Sequence, residues 1–160
     1  MHSIGIIHSL HKNPKETPIQ PVYAKGIKGE VEIFPEYTEG LRDLEGFSHI
    51  YLLYYFHKAS SEKLSVKPFL EDSTHGVFAT RSPSRPNHIG LSVVKLIEIK
   101  GNILHMEDAD ILDGTPLLDI KPYILRFDYR DNVKCGWQDN IDETRARILG
   151  SRQNNKNELS

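Results

Sequence analysis

The apolar residues of this chain come in short runs, each cut off by proline or glycine, and that spacing constrains the fold more than any other feature. Residues 4–8 read as a first strand, and a proline-rich loop from Asn13 to Pro21 follows. Glu30-Val31-Glu32-Ile33-Phe34 alternates strictly, as a half-buried strand does, and Pro35 stops it. The run 50–56 is continuous, aromatic and β-favouring, which predicts a central strand buried on both faces. Another strand is expected over 76–80, and 91–99 follows it. Gly101-Asn102 then closes a tight hairpin into 103–106. A last core strand covers 117–120 and ends before Pro122. Helix signals are sparse. Leu41 and Leu44 predict one or two turns within 37–45, and 141–149 predicts a short terminal helix. The polar end, 151–160, is expected to be disordered. About seven short strands with little helix make the chain all-β, a barrel or a sandwich.

The segment Thr80-Arg81-Ser82-Pro83-Ser84-Arg85-Pro86-Asn87-His88-Ile89-Gly90 stands apart. Pro83 and Pro86 remove backbone donors and push their preceding residues toward extended conformations, so the arginines do not share a helical face. The segment reads as a stiffened loop holding out two guanidinium forks, suited to carboxylates or phosphates. A single arginine there would more simply pair with a surface carboxylate. Two arginines beside Asn87 and His88 in a preorganised loop favour an anion site.

Two further clusters carry possible chemistry. Asp110-Ile111-Leu112-Asp113-Gly114-Thr115-Pro116 is a turn signal in its own right, and Gly114 also allows a small molecule to approach the backbone. Phe56-His57-Lys58 leaves the most apolar strand, where a histidine serves either as a structural group or as a proton acceptor. The eight histidines show no metal-binding spacing, and the single cysteine, Cys135, permits no internal disulfide. A cytoplasmic setting is the simplest expectation. The chain lacks the glycine fingerprint of a Rossmann cofactor site, a phosphate loop and a nucleophile elbow. A net charge of -2 argues against bulk electrostatic gripping of nucleic acid, so any such partner would meet a local basic patch.

Taken together, the segments resemble the TsaA-like family, also called TrmO. The resemblance rests on Ile4-Gly5-Ile6-Ile7-His8-Ser9, Pro18-Ile19-Gln20, Gly40-Leu41-Arg42-Asp43-Leu44-Glu45-Gly46-Phe47-Ser48-His49-Ile50, Gly76-Val77-Phe78-Ala79-Thr80-Arg81-Ser82-Pro83, Arg85-Pro86-Asn87-His88-Ile89-Gly90-Leu91-Ser92, and Asp113-Gly114-Thr115-Pro116 through Asp119-Ile120-Lys121-Pro122-Tyr123. These occur in family order over most of the first 125 residues or so.

The resemblance implies a compact single β-barrel domain over 1–130, a C-terminal extension over 131–150 and a tail over 151–160. It implies an S-adenosyl-L-methionine-dependent methyltransferase that acts on N6 of N6-threonylcarbamoyladenosine in the anticodon loop of tRNA. A homodimer with the cofactor site near the subunit interface is also implied. The cofactor residues carried over by position are Pro18, Ile19, Gln20, His57, Lys58, Arg81, Leu91, Ile111, Leu112, Asp113 and Gly114. Arg85, Asn87 and His88 are expected to face the substrate, with His57 and Asp113 as candidates for the catalytic base. Two departures stand out. Ile19 occupies a position where the family commonly has arginine, and the chain carries only 124–160 beyond the barrel where longer bacterial relatives carry an extra domain. Tests must therefore also separate a non-catalytic S-adenosylmethionine-binding regulatory module and a methyltransferase acting on a different small substrate.

Overall fold

The computed structural model describes residues 1–152. Its strands are β1 (Gly5–Ser9), β2 (Gly29–Ile33), β3 (His49–Tyr55), β4 (Ser65–Val66), β5 (His75–Gly76), β6 (Ile89–Lys100), β7 (Ile103–Glu107) and β8 (Thr115–Pro122). Six of them close a barrel in the order β1-β2-β7-β6-β3-β8, with β8 pairing back onto β1, and every barrel pair is antiparallel. β4 and β5 form a separate two-stranded ribbon. Closure removes the exposed strand edges that an open sheet of this size would leave.

Alternation explains why these residues build a barrel. Ile7, Val31, Ile50, Leu52, Val94, Leu104 and Leu117 all point inward and are fully buried. Each such side chain contributes about 1.5–3 kcal/mol of hydrophobic stabilisation. In β3 the burial alternates, with Ile50, Leu52 and Tyr54 inside and Tyr51, Leu53 and Tyr55 toward the outside. The expectation that this run is buried on both faces is therefore corrected. A strand in a closed barrel has one inner face, and here the outer face is also apolar.

The strand expected over 76–80 is corrected too. Only His75–Gly76 pairs, and Val77–Ala79 is a 3-10 turn. The Val77 carbonyl accepts from both the Thr80 N–H at 3.1 Å and the Thr80 hydroxyl at 2.9 Å, which curls the chain. The helical turns within 37–45 are 3-10 turns at Pro35–Leu41 and Leu44–Gly46, and the two-residue hairpin at Gly101-Asn102 joins β6 to β7.

Beyond β8 the chain forms a short helix α1 (Leu125–Asp128) and a helix α2 (Glu143–Ser151). The Asp142 side chain caps α2 by accepting from Arg145 N at 2.7 Å. Helix α2 docks on the β1–β2 connection, where Ile19 N–H donates to the Gly150 carbonyl at 3.0 Å. Of the expected tail, Ser151 ends α2 and Arg152 follows it; the remainder lies outside the described residues. Among the described residues no helix is long and apolar enough to cross a membrane.

The topology has one consequence for function. Because neighbouring barrel strands run antiparallel, Ser9, Gly29, Tyr55, Ile89, Glu107 and Thr115 all lie at the same end. That end carries the three connections 10–28, 56–88 and 108–114.

Candidate active site

Apart from Leu91, every cofactor or substrate residue expected from the sequence falls in those three connections. In the first, Pro18 is buried, while Ile19 and Gln20 are half-buried. Gln20 reaches the second connection, where its Oε1 accepts from Arg81 Nη1 at 2.6 Å. Arg81 is otherwise exposed, and its guanidinium retains unused donors among the described residues.

Arg85 behaves differently. Its Nη1 donates to the Thr80 carbonyl at 2.9 Å, so it folds back and braces its own loop. His88 Nδ1 lies 2.8 Å from the Pro83 carbonyl, which closes the loop from its other side. Asn87 is exposed at the tip, with φ 66°. The two arginines that look alike in sequence thus have separate structural tasks.

The third connection is lashed to the end of β1. Asp113 N–H donates to the His11 carbonyl at 2.8 Å, and Gly114 N–H donates to the Ile7 carbonyl at 2.9 Å. The Ser9 hydroxyl donates to the Ile111 carbonyl at 2.6 Å. Leu112 N–H is left without a partner among the described residues. A fixed turn with a free backbone donor suits the edge of a planar heterocycle.

The two candidate bases have different surroundings. Asp113 Oδ2 lies 2.6 Å from Lys12 Nζ, and Ser9 N–H donates to its Oδ1 at 3.0 Å. The Lys12 hydrogen bond, then the Ser9 amide, hold this carboxyl below its usual range. It is a weak proton acceptor and a strong loop clamp. His57 is lowered by burial first and then by Lys58, against a smaller opposing pull from the Tyr55 carbonyl, so it is neutral at pH 7. Its Nδ1 lies 3.4 Å from the Thr115 hydroxyl, which itself donates to the Leu112 carbonyl at 2.6 Å. Thr115 has no second proton to give. Across that contact the His57 Nδ1 is the only group able to donate.

Leu91 is not gathered with the others. It sits on the outer face of β6, 41% exposed, opposite Leu53 on β3.

Sequence reading missed a buried polar chain at the same barrel end. Ser92 donates its hydroxyl to Asp110 Oδ1 at 2.7 Å, and its oxygen lies 3.0 Å from the Tyr54 hydroxyl. The Ser92 proton is committed to Asp110, so Tyr54 donates to Ser92. Asp110 is 6% and Ser92 1% exposed. Burial pushes the Asp110 carboxyl up to about 7, against the Ser92 hydrogen bond, the residue's own N–H and the field of Arg81. Burial also raises the Tyr54 phenol far above its ordinary value, with the charge of Asp110 adding to the rise. Gly90 makes room for this chain, because a Cβ there would lie 2.2 Å from the Tyr54 ring. The missed signal was strand alternation: it places Ser92 and Tyr54 inward, and inward hydroxyls need partners.

A wide groove of about 730 Å³ lies outside this end, along β2, β7 and β6, lined by His8, Lys28, Glu30, Glu98 and His105 among others. It shares Asp113 with the expected site but none of the other expected residues.

Comparisons with known proteins bear on the fold and the family. Residues 6–129 match the family model described as the tRNA-methyltransferase O N-terminal domain. The chain is 62% identical, over 84% of its length and 73% of the relative, to a probable S-adenosyl-L-methionine-binding protein of Pyrococcus abyssi. It is 39% identical, over 81% of its length, to a tRNA (adenine(37)-N6)-methyltransferase of Mus musculus, and spans only 32% of that protein. A crystal structure of TrmO from Pseudomonas aeruginosa superposes with a TM-score of 0.72 at 38% identity, covering 86% of this chain and 60% of that one. The chain belongs to the family of the tRNA-methyltransferase O N-terminal domain.

Proposed function

We propose that this protein transfers a methyl group from S-adenosyl-L-methionine to N6 of N6-threonylcarbamoyladenosine in the anticodon loop of tRNA. The observation that carries this reading is the convergence of the Gln20–Arg81 pair, His57-Lys58 and the 111–114 turn at one barrel end. The relatives named as tRNA (adenine(37)-N6)-methyltransferases and S-adenosyl-L-methionine-binding proteins support it.

The residues suit that cofactor. Exposed Arg81 offers a fork to the methionine carboxylate, and Gln20 fixes its orientation. The clamped 111–114 turn offers the Leu112 N–H to the adenine edge. Pro18, Ile19 and Lys58 lie in connections at the same barrel end. Ile19 makes its tie through its backbone, to Gly150, so the position does not need the family's guanidinium to hold its place. When bound, the cofactor supplies an activated methyl group on a sulfonium whose leaving group is neutral, so alignment accounts for much of the catalysis.

The acceptor nitrogen must lose a proton. The neutral His57 ring suits that task better than Asp113, whose charge is stabilised by Lys12. Arg85 shapes the substrate loop, while Asn87 at its tip and the adjacent His88 face the nucleotide.

A homodimer fits the position of Leu91. On the outer face of β3 and β6, Tyr51, Leu53 and Tyr55 stand beside Val93, Leu91 and Ile89. A second copy covering this apolar face would bring Leu91 to the neighbouring subunit's site. The functional test is nucleoside mass spectrometry on tRNA from cells lacking the protein. Loss of the methylated threonylcarbamoyl nucleoside supports the reading. Unchanged levels reject it and favour a binding module without catalysis.

A further inference from the structure

The cofactor is unusual among metabolites in carrying a positive sulfonium, and the expected site is rich in cations. Lys58 and Arg81 both belong to it. Of the three carboxylates in the β7–β8 connection, Asp108 is held by the Gly26 N–H at 2.8 Å, and Asp113 is already neutralised by Lys12 at 2.6 Å. Asp110 is not. It has no ion-pair partner among the described residues, and its first oxygen is held by the Ser92 hydroxyl alone of the neighbouring side chains.

We infer that Asp110, fixed by Ser92 and Tyr54, is the anion by which the site prefers the sulfonium cofactor to its neutral thioether product. The inference rests on the cofactor reading above. In the cofactor's own covalent structure the sulfonium lies between the methionine carboxylate and the adenosine. Contacts from Arg81 and from the 111–114 turn therefore bracket it, and Asp110 is joined directly to that turn. The Arg81 field reaches both Asp110 and Tyr54, which places the buried chain within electrostatic range of the carboxylate-binding group.

A buried carboxylate acts over distance because little water screens it. The hydroxyl chain Tyr54–Ser92–Asp110 is oriented toward the carboxylate and stabilises its charged form without adding a cation that would cancel it. Methyl transfer removes the sulfonium charge and releases the proton of the acceptor nitrogen. Attraction by Asp110 then vanishes with the charge, so the spent cofactor is held less tightly than the fresh one. Asp110 is here a specificity residue for the cofactor's charge.

The ionisable groups around Asp110 are Tyr54 on β3, Arg81 in the β3–β6 connection and His11 in the β1–β2 connection, whose ring lies 2.8 Å from the Ala109 carbonyl. The test is calorimetric titration of wild type and Asp110→Asn with S-adenosylmethionine and, separately, with S-adenosylhomocysteine. Asparagine still accepts from Ser92, so the packing is kept. The expected result is about a tenfold loss of affinity for the sulfonium ligand with the thioether affinity unchanged. Equal losses for both ligands, or none, overturn the inference while leaving the cofactor reading intact. A wild type that binds neither ligand rejects the cofactor reading, and this inference with it.

Wild type alone provides a second measurement, independent of whether the variant folds. Near pH 6.5, titration in buffers of different ionisation enthalpy should show proton release on binding the sulfonium ligand and not on binding the thioether. At that pH the amino groups of both ligands are almost fully protonated in solution, so their contribution is small. Equal proton release for the two overturns the inference.

Discussion

Replacing Asp110 with Asn should make the protein more stable at neutral pH while leaving it nearly unchanged in acid. The folded-state carboxyl is raised to about 7 from 3.8. A raised carboxyl contributes stability that is fully present below the unfolded value and is lost as pH rises through the folded one, because the native state holds a proton that the unfolded chain releases. Between those limits the loss is ~1.4 kcal/mol per pH step, or about 4 kcal/mol over the whole interval. Against a typical stability of about 5–15 kcal/mol, that is a large cost to carry at pH 7. Asparagine keeps the acceptor for Ser92 and has no charge to bury. Urea denaturation from pH 4 to pH 8.5, followed by circular dichroism, should therefore give a stability difference near zero at the acid end. The difference should grow to about 4 kcal/mol and level off above pH 7. Parallel profiles for the two proteins would refute the reasoning, because they would mean that Asp110 is ionised in the folded state at low pH or is open to water.

Gly90→Ala should lower the thermal midpoint and loosen the Tyr54–Ser92–Asp110 chain, since the added methyl meets the Tyr54 ring at 2.2 Å; calorimetric melting should show a loss of about 1–3 kcal/mol, the usual cost of overpacking. Asp113 has the opposite sign to Asp110. Its folded carboxyl is depressed, so its contribution is present above the unfolded value and is lost as pH falls through the folded one. Lys12→Ala should therefore lower stability at neutral pH and make its fall with acid less steep, as read by urea denaturation followed by circular dichroism. Arg85→Ala should raise the KM for tRNA and leave S-adenosylmethionine affinity unchanged, because Arg85 braces the loop through the Thr80 carbonyl, whereas Arg81→Ala should weaken the cofactor directly. The kcat profile should rise through an apparent pKa below 6.5, following the lowered His57, and His57→Gln should abolish that limb.

The barrel strands were legible because alternation and turn chemistry are local. Glu30 to Phe34 and the hairpin at Gly101-Asn102 needed no tertiary information. The run from Ile50 to Phe56 misled because both of its faces are apolar, and sequence alone does not separate the inner face of a barrel strand from an apolar outer one. Residues 76–80 failed for the opposite reason. Their β-favouring composition was overridden by local hydrogen bonds from Thr80 that curl the chain. At the candidate site, Arg81 and the 111–114 turn stood out from their own residues, whereas Gln20 entered only through the family resemblance, since its meeting with Arg81 depends on connections far apart in sequence. Asp110 stood within a motif already singled out, yet its importance depends on two hydroxyls, Tyr54 and Ser92, that lie 56 and 18 residues away and become partners only when β3 and β6 pair. The division between Arg81 and Arg85 likewise depends on which acceptor each finds. Arg81 meets Gln20 in another connection, and Arg85 meets its own loop.

The central claim is that three connections at one end of the barrel form a cofactor site. Amide hydrogen exchange with and without S-adenosylmethionine tests it most directly. Protection is predicted around Pro18 to Gln20, at His57-Lys58, at Arg81 and from Asp110 to Gly114, with no change at the opposite end around Gly101-Asn102 or along the groove at His105 and Glu98. Protection confined to that outer groove, or none at saturating cofactor, would contradict it.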